Sequence, residues 1–206
     1  MAVTDALPSA PQFGDALPLS PAPAVLQFLA RRRSTSAVTL GPPAPSAEEI
    51  EQLVRLGTRV PDHGKLAPWR FVILDGEDKA RFAERLDALA RGRGDAQAAG
   101  KLAKLTAPPL ALAVISSPKP DAPIPEWEQI LSAGAVATTL LYATLAMGYG
   151  ANWITDWYAY DADAGGILGL AAGERVAAFM LIGTPRESPL ERERPDPTVL
   201  VSRWRG

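Results

Sequence analysis

Cysteine is absent from this chain of 206 residues, which removes disulfides, thiolate nucleophiles and cysteine-ligated metals together. Histidine occurs once, at His63. A transition-metal centre would have to rest on one imidazole and carboxylates, so no metal site is expected. Neither sign of charge dominates: 21 Lys and Arg stand against 23 Asp and Glu for a net charge of -2, with no long basic run. That balance argues against nucleic acid or a membrane surface as partner. Long uninterrupted hydrophobic runs are missing too. The nearest, Ile130 to Met147, is punctuated by Ser132, Gly134, Thr138, Thr139, Tyr142 and Thr144, so it reads as a helix buried in protein. The first 22 residues are rich in Ala and Pro and lack both a basic start and a compact apolar core. They read as a disordered arm, not a signal peptide. With no disulfides, the expected location is a reducing cytoplasm.

What remains is an ordinary globular composition, 47% hydrophobic and 21% charged, long enough for one substantial core. One domain is expected over residues 23–206. Apolar spacing at Val25, Phe28 and Leu29, followed by arginines, predicts a helix over 24–33 with a basic C-terminus. Ser46 with Glu49 three residues later is a capping-box pattern, and Ile50, Leu53, Val54 and Leu56 supply the apolar face of a helix ending near Gly57. Residues 59–69 then form a loop.

Further along, 70–74 reads as a strand, 76–91 and 95–105 as helices, and 110–116 as a short buried strand between prolines. A long helix over 125–147 ends at Gly148. Strands over 151–155 and 175–183 flank a helix over 162–170. Helical tracts outnumber what repeating βαβ units need, so the predicted class is α+β. The charged tail after Pro185 turns apolar at Val199, Leu200 and Val201, and is expected to cross to another subunit as an edge strand.

Several nucleotide and hydrolase signatures are also lacking. No Gly-x-Gly-x-x-Gly follows a strand, no Gly-Lys-Ser/Thr phosphate loop occurs, and there is no Gly-x-Ser-x-Gly elbow. His63 beside Asp62 does not make a hydrolytic triad, because adjacent residues rarely orient one another. Two short segments stand out instead. Arg31-Arg32-Arg33-Ser34 offers guanidinium and hydroxyl donors to a phosphate, and Arg59-Val60-Pro61-Asp62-His63-Gly64-Lys65-Leu66-Ala67-Pro68-Trp69 is a polar loop entering an apolar strand.

These segments, with Trp127-Glu128 through Ser132-Ala133-Gly134, Gly148-Tyr149-Gly150-Ala151-Asn152-Trp153 and Ile182-Gly183-Thr184-Pro185, occur in an order that resembles the nitroreductase family. The resemblance spans about Val25 to Trp204 and is nearest to the family's short members. It implies a mainly antiparallel sheet flanked by helices, an intertwined homodimer with FMN between subunits, and oxidation of NADH or NADPH coupled to reduction of a nitroaromatic, quinone or similar small acceptor. By family position, Arg32 and Ser34 would hold phosphate or ribityl oxygens with Arg33 alongside. Arg59 and His63 would meet the flavin from the second subunit, and Trp153, Ile154 and Thr155 would run along the ring.

Bland roles stand beside these. Three arginines also solvate a helix end, His63 can be a hydrogen-bonding loop residue, and a strand Trp is often core. Relatives tend to carry a polar or basic residue where Ile154 stands, so this position can offer backbone only. Arg186, Arg192 and Arg194 read as surface charge, and Trp69 and Trp127 as packing residues. Alternative implied activities are a flavin-consuming or dehydrogenating enzyme of the same fold, and a non-enzymatic flavin-binding protein.

Overall fold

The computed structural model describes residues 9–206, so the start of the proposed arm lies outside them. Residues 9–22 form neither helix nor strand; a single turn is closed by the Asp15 amide on the Gln12 carbonyl at 3.1 Å. The first helix, α1 (Pro23–Arg31), starts on a proline that needs no intrahelical partner for its nitrogen. It stops two residues short of expectation. Arg32 adopts an extended backbone, which leaves Arg32 and Arg33 on a connecting segment.

The sheet is antiparallel throughout, as the α+β reading expects. At its centre β3 (Leu110–Ser116) pairs with β2 (Trp69–Asp75) on one side and β5 (Arg175–Pro185) on the other. On the far side of β5 lies β4 (Gly150–Ile154), and a two-residue strand, β1 (Leu40–Gly41), pairs with the end of β5. Every residue of β3 is buried. Both of its faces are covered, which accounts for an unbroken apolar run in place of alternation.

One face of the sheet, through Ala111, Ala113, Ile115, Phe179 and Leu181, packs with Phe82 and Leu86 of α3 (Gly76–Gly92) and with Tyr158. The other face, through Leu110, Leu112, Val114, Ala178, Met180 and Ile182, meets α2 (Ala47–Gly57) and α6 (Glu126–Ala146). Each fully buried Leu, Ile or Phe contributes about 1.5–3 kcal/mol of transfer free energy. The predicted capping box of α2 is present: the Glu49 amide donates to Ser46 Oγ at 3.2 Å and the Ser46 amide to Glu49 Oε2 at 2.8 Å.

By length and composition α6 is apolar enough to cross a bilayer, with a mean hydropathy of 1.4. Its place in the fold explains that composition, since Ala133, Val136, Ala137 and Leu140 are buried against the sheet and α2. Two of the hydroxyls that interrupt it are satisfied within the helix, Thr138 on Gly134 O at 3.0 Å and Thr144 on Leu140 O at 2.8 Å. Gly148 follows the helix with φ 88°, and the Gly148 and Tyr149 amides close on the Leu145 and Thr144 carbonyls. That is a Schellman ending, for which glycine is the favoured residue.

One expectation is corrected, and one short strand is added. The helix predicted over 95–105 is two pieces, α4 (Ala96–Lys101) and α5 (Ala103–Thr106). Gly100 weakens the helix there, and Leu102 and Leu105 are both drawn into the core. The strand β1 was missed because two residues carry no periodicity. The tail forms no strand within this chain; beyond β5 it has one 3-10 turn, Pro197–Val199, and its apolar Val199, Leu200 and Val201 are exposed. Between β4 and β5, α7 (Ala162–Leu168) ends in a left-handed Gly169.

Candidate functional site

After α1 the chain is clipped to the free edge of β4. The Thr35 amide donates to Ala151 O at 2.9 Å, and Asn152 Nδ2 donates to Thr35 O at 2.6 Å. Gly150 permits the close approach: a Cβ there would lie 2.5 Å from Leu40 Cδ2 and 2.9 Å from Thr35 Oγ1. The clip brings the Arg32–Ser34 segment beside the strand carrying Trp153 and Ile154. Because Ala151 turns its carbonyl outward to Thr35, strand alternation also turns the Trp153 amide and carbonyl to the free edge.

At this end Arg32 is partly enclosed. Its guanidinium carbon lies 5.9 Å from the centre of the Tyr142 ring on α6, and Nη2 reaches Ser34 Oγ at 3.4 Å. Phe28 meets the same ring edge-on at 5.9 Å. The Arg32 Nε is buried and has no hydrogen-bond partner among the described residues. An unsatisfied buried donor costs about 1–3 kcal/mol, a cost that an acceptor placed there would relieve. Arg33 takes a different direction. Its Nε donates to Leu190 O at 2.8 Å and lies 3.7 Å from Glu191, which also pairs with Arg194 at 3.1 Å. Arg33 Nε thus ties down the tail.

The aromatic strand has divided roles. Trp153 is half-exposed, and its indole N–H is already spent on Ala177 O at 3.2 Å. Ile154 packs against the α3-side core. Thr155 Oγ1 accepts from the Tyr160 hydroxyl at 2.8 Å.

The 59–69 loop lies at the opposite end of α6. Ser132 Oγ donates to Pro61 O at 2.8 Å and accepts from Trp69 Nε1 at 3.2 Å, fixing both ends of the loop to one helix residue. Asp62 closes the turn within it, accepting from the Leu66 and Ala67 amides at 3.1 and 2.8 Å. Gly64, Lys65 and Ala67 all have positive φ, at 75°, 54° and 45°. For the two non-glycine residues this costs about 1–2 kcal/mol each, and the Asp62 carboxylate and Ser132 hold the shape against it. Arg59 is exposed, and His63 Nδ1 lies 2.7 Å from Glu128 Oε2.

Within one chain the two clusters do not meet. Arg32 sits at Tyr142 and His63 at Glu128, fourteen residues apart on a helix rising about 1.5 Å per residue, so roughly 21 Å separates them. Thr35, Asn152, Tyr142, Ser132 and Glu128 were not singled out as site residues. A serine inside an apolar helix was the available signal for Ser132; the others join the site through tertiary contacts alone.

Just past the loop, Arg70 makes a two-pronged pair with Glu174, at 2.7 and 2.6 Å, and donates to Gly169 O at 2.8 Å. The Arg70 hydrogen bond holds the Glu174 carboxyl down at about 2. On the other flank the Tyr149 hydroxyl donates to Glu49 Oε2 at 2.8 Å, and burial with that carboxylate raises it to about 12.

Comparison with known proteins matches residues 29–184 to the family described as "Nitroreductase family". The "Putative NAD(P)H nitroreductase YdjA" of Escherichia coli K12 is 32% identical over 181 residues, covering 86% of this chain and 97% of that protein. A nitroreductase-like family protein from Bacillus cereus superposes with a TM-score of 0.79 at 19% identity, over 93% of this chain and all of that one. A nitroreductase solved in complex with FMN from Desulfovibrio desulfuricans gives 0.69 at 22% identity, over 87% of this chain and 96% of the other. This chain belongs to the nitroreductase family.

Proposed function

We propose that this chain is an FMN-dependent NAD(P)H oxidoreductase that works as a homodimer and reduces nitroaromatics, quinones or similar small acceptors. Family membership supports the general activity. The observation that carries the assignment to this site is the buried, unpartnered Nε of Arg32 with Ser34 Oγ beside it. A planar guanidinium with a spare donor and a neighbouring hydroxyl fits a phosphate monoester, which takes charge-assisted, two-pronged hydrogen bonds. The donor set therefore suits the FMN phosphate.

Bound FMN would accept hydride from the nicotinamide and pass it on to the acceptor. The protein's share is placement and charge. Arg32 and Ser34 anchor the phosphate end, while the outward Trp153 backbone offers a donor and an acceptor along the edge of β4. Ile154, being core, contributes no side chain. Arg59 and His63 supply the cationic and hydrogen-bonding end, where a positive charge would stabilise negative charge on the reduced ring.

Separation of the two clusters by roughly 21 Å along α6 favours a site completed by a second copy. So does α1, which buries none of its residues and exposes Val25, Leu26 and Leu29. An exposed apolar stripe of this kind is what a second protomer would cover. The tail, whose Leu190 carbonyl accepts from Arg33 Nε two residues past α1, is a second candidate for that contact.

An anaerobic absorbance titration tests the reading. Protein loaded with FMN should bleach on addition of NADPH or NADH and recover its colour with a quinone. No retention of FMN at micromolar concentration, or flavin that neither donor bleaches, would refute it.

A further inference from the structure

The His63–Glu128 contact is left unused by the flavin reading as it stands. It also contributes little to holding the loop. Pro61 and Trp69 are fixed by Ser132, the Asp62 carboxylate closes the turn, and Ile124 packs against Gly64. Both partners are open to water, with side chains 64% and 45% exposed, and pairs of that kind contribute about 0–1 kcal/mol. The pair's effect is directional. Glu128 lies in the first turn of α6, on a rigid element, and reaches only Nδ1 of the ring.

A carboxylate accepts and does not donate, so the bond places a proton on Nδ1. Nε2 is then the atom turned outward, an acceptor in the neutral ring and a donor in the charged one. We propose that Glu128 is a positioning residue: it orients the His63 imidazole and keeps its proton on Nδ1, so that Nε2 is presented to the flavin ring or to the acceptor above it. This deepens, and for its functional half rests on, the proposed flavin site. Glu128 itself touches neither ligand and acts through His63.

Because His63 is the only histidine, a long-range proton–nitrogen correlation spectrum shows a single imidazole and reads its tautomer directly. With no flavin added, the neutral ring of the wild type should carry its proton on Nδ1. Glu128→Ala should move it toward the Nε2–H form that free imidazole side chains prefer in water, and Glu128→Gln, which keeps an acceptor oxygen, should restore part of the Nδ1–H form. In a second step, FMN affinity is measured for Glu128→Ala, His63→Ala and the double variant. Glu128→Ala alone should weaken binding roughly three- to tenfold. The loss should vanish in the His63→Ala background. An unchanged tautomer in Glu128→Ala overturns the lock, and a Glu128 effect that is absent or persists without His63 overturns its functional role. Failure of the wild type to bind FMN at all would sink the flavin reading while leaving the spectrum to decide the lock.

Discussion

The two ends of α6 hold opposite kinds of chemistry. At the Tyr142 end, Arg32 keeps a buried donor without a partner, and the backbone around it is relaxed and clipped to β4. At the Glu128 end Asp62 and His63 of the loop are paired, and the strain sits in the backbone, at Lys65 and Ala67. One end is short of an acceptor; the other is preshaped to present side chains. An orphan donor is stabilised when an anion arrives, whereas a paired and strained loop gains little from a ligand and serves to lower the cost of ordering. The contrast matches an anchor and a presenting surface, and the variants at Arg32 and Ser132 below each break one end while sparing the other.

The largest effect is expected at the anchor. Arg32→Ala should weaken FMN binding by about 3 kcal/mol, close to a hundredfold, in a fluorescence-quenching titration. Its thermal stability should change little, since relief of the unsatisfied Nε offsets the lost contacts with Tyr142 and Ser34. Full flavin occupancy in that variant would remove the phosphate role.

Next is the foot of the loop, where Arg70 and Glu174 pair. Glu174→Ala should cost about 2 kcal/mol in urea unfolding, because it strips a two-pronged partner from a half-buried guanidinium. The pair also sets an acid limit. Glu174 titrates at about 2 when folded against an ordinary 4.5, so its stabilisation is complete above the ordinary value and is lost as pH falls through the folded one. The wild type should therefore lose stability between roughly pH 4.5 and 2 more steeply than Glu174→Gln. Parallel curves for the two proteins would argue against the pairing.

Ser132→Ala comes third. It leaves Pro61 O and Trp69 Nε1 without their shared partner and should cost about 1 kcal/mol. A larger effect on acceptor KM than on FMN affinity would locate the damage at the presenting end; the reverse would mean that loop and anchor are not separate. Smallest of all, deletion of residues 1–22 should leave FMN affinity unchanged, with loss of the dimer as the contradicting result.

How much of this was readable beforehand depended on how local each signal was. The capping box of α2, the apolar run of β3 and the glycine after α6 are set by neighbours within a few residues, and they folded as periodicity and cap chemistry predict. Arg32 and Ser34 were legible as chemistry, but the release of Arg33 to the tail was not, since Leu190 lies 157 positions away. The Glu128 partner of His63, 65 positions on, was hidden for the same reason. Nor did the sequence announce positive φ at Lys65 and Ala67, because neither residue type prefers it. Those angles are held by the Asp62 carboxylate inside the loop and by Ser132, a tertiary partner more than sixty positions on.

The central claim is that the anchor of one chain and the presenting loop of another form a single flavin site. It is tested most directly by mixing chains. Arg32→Ala and Arg59→Ala proteins, each with impaired FMN binding, are combined under conditions that exchange subunits, and FMN stoichiometry is measured. If the halves come from different chains, every mixed dimer regains one intact site and binds FMN at half the wild-type stoichiometry with wild-type affinity. If both halves belong to one chain, each site keeps a defect, and no tight binding returns.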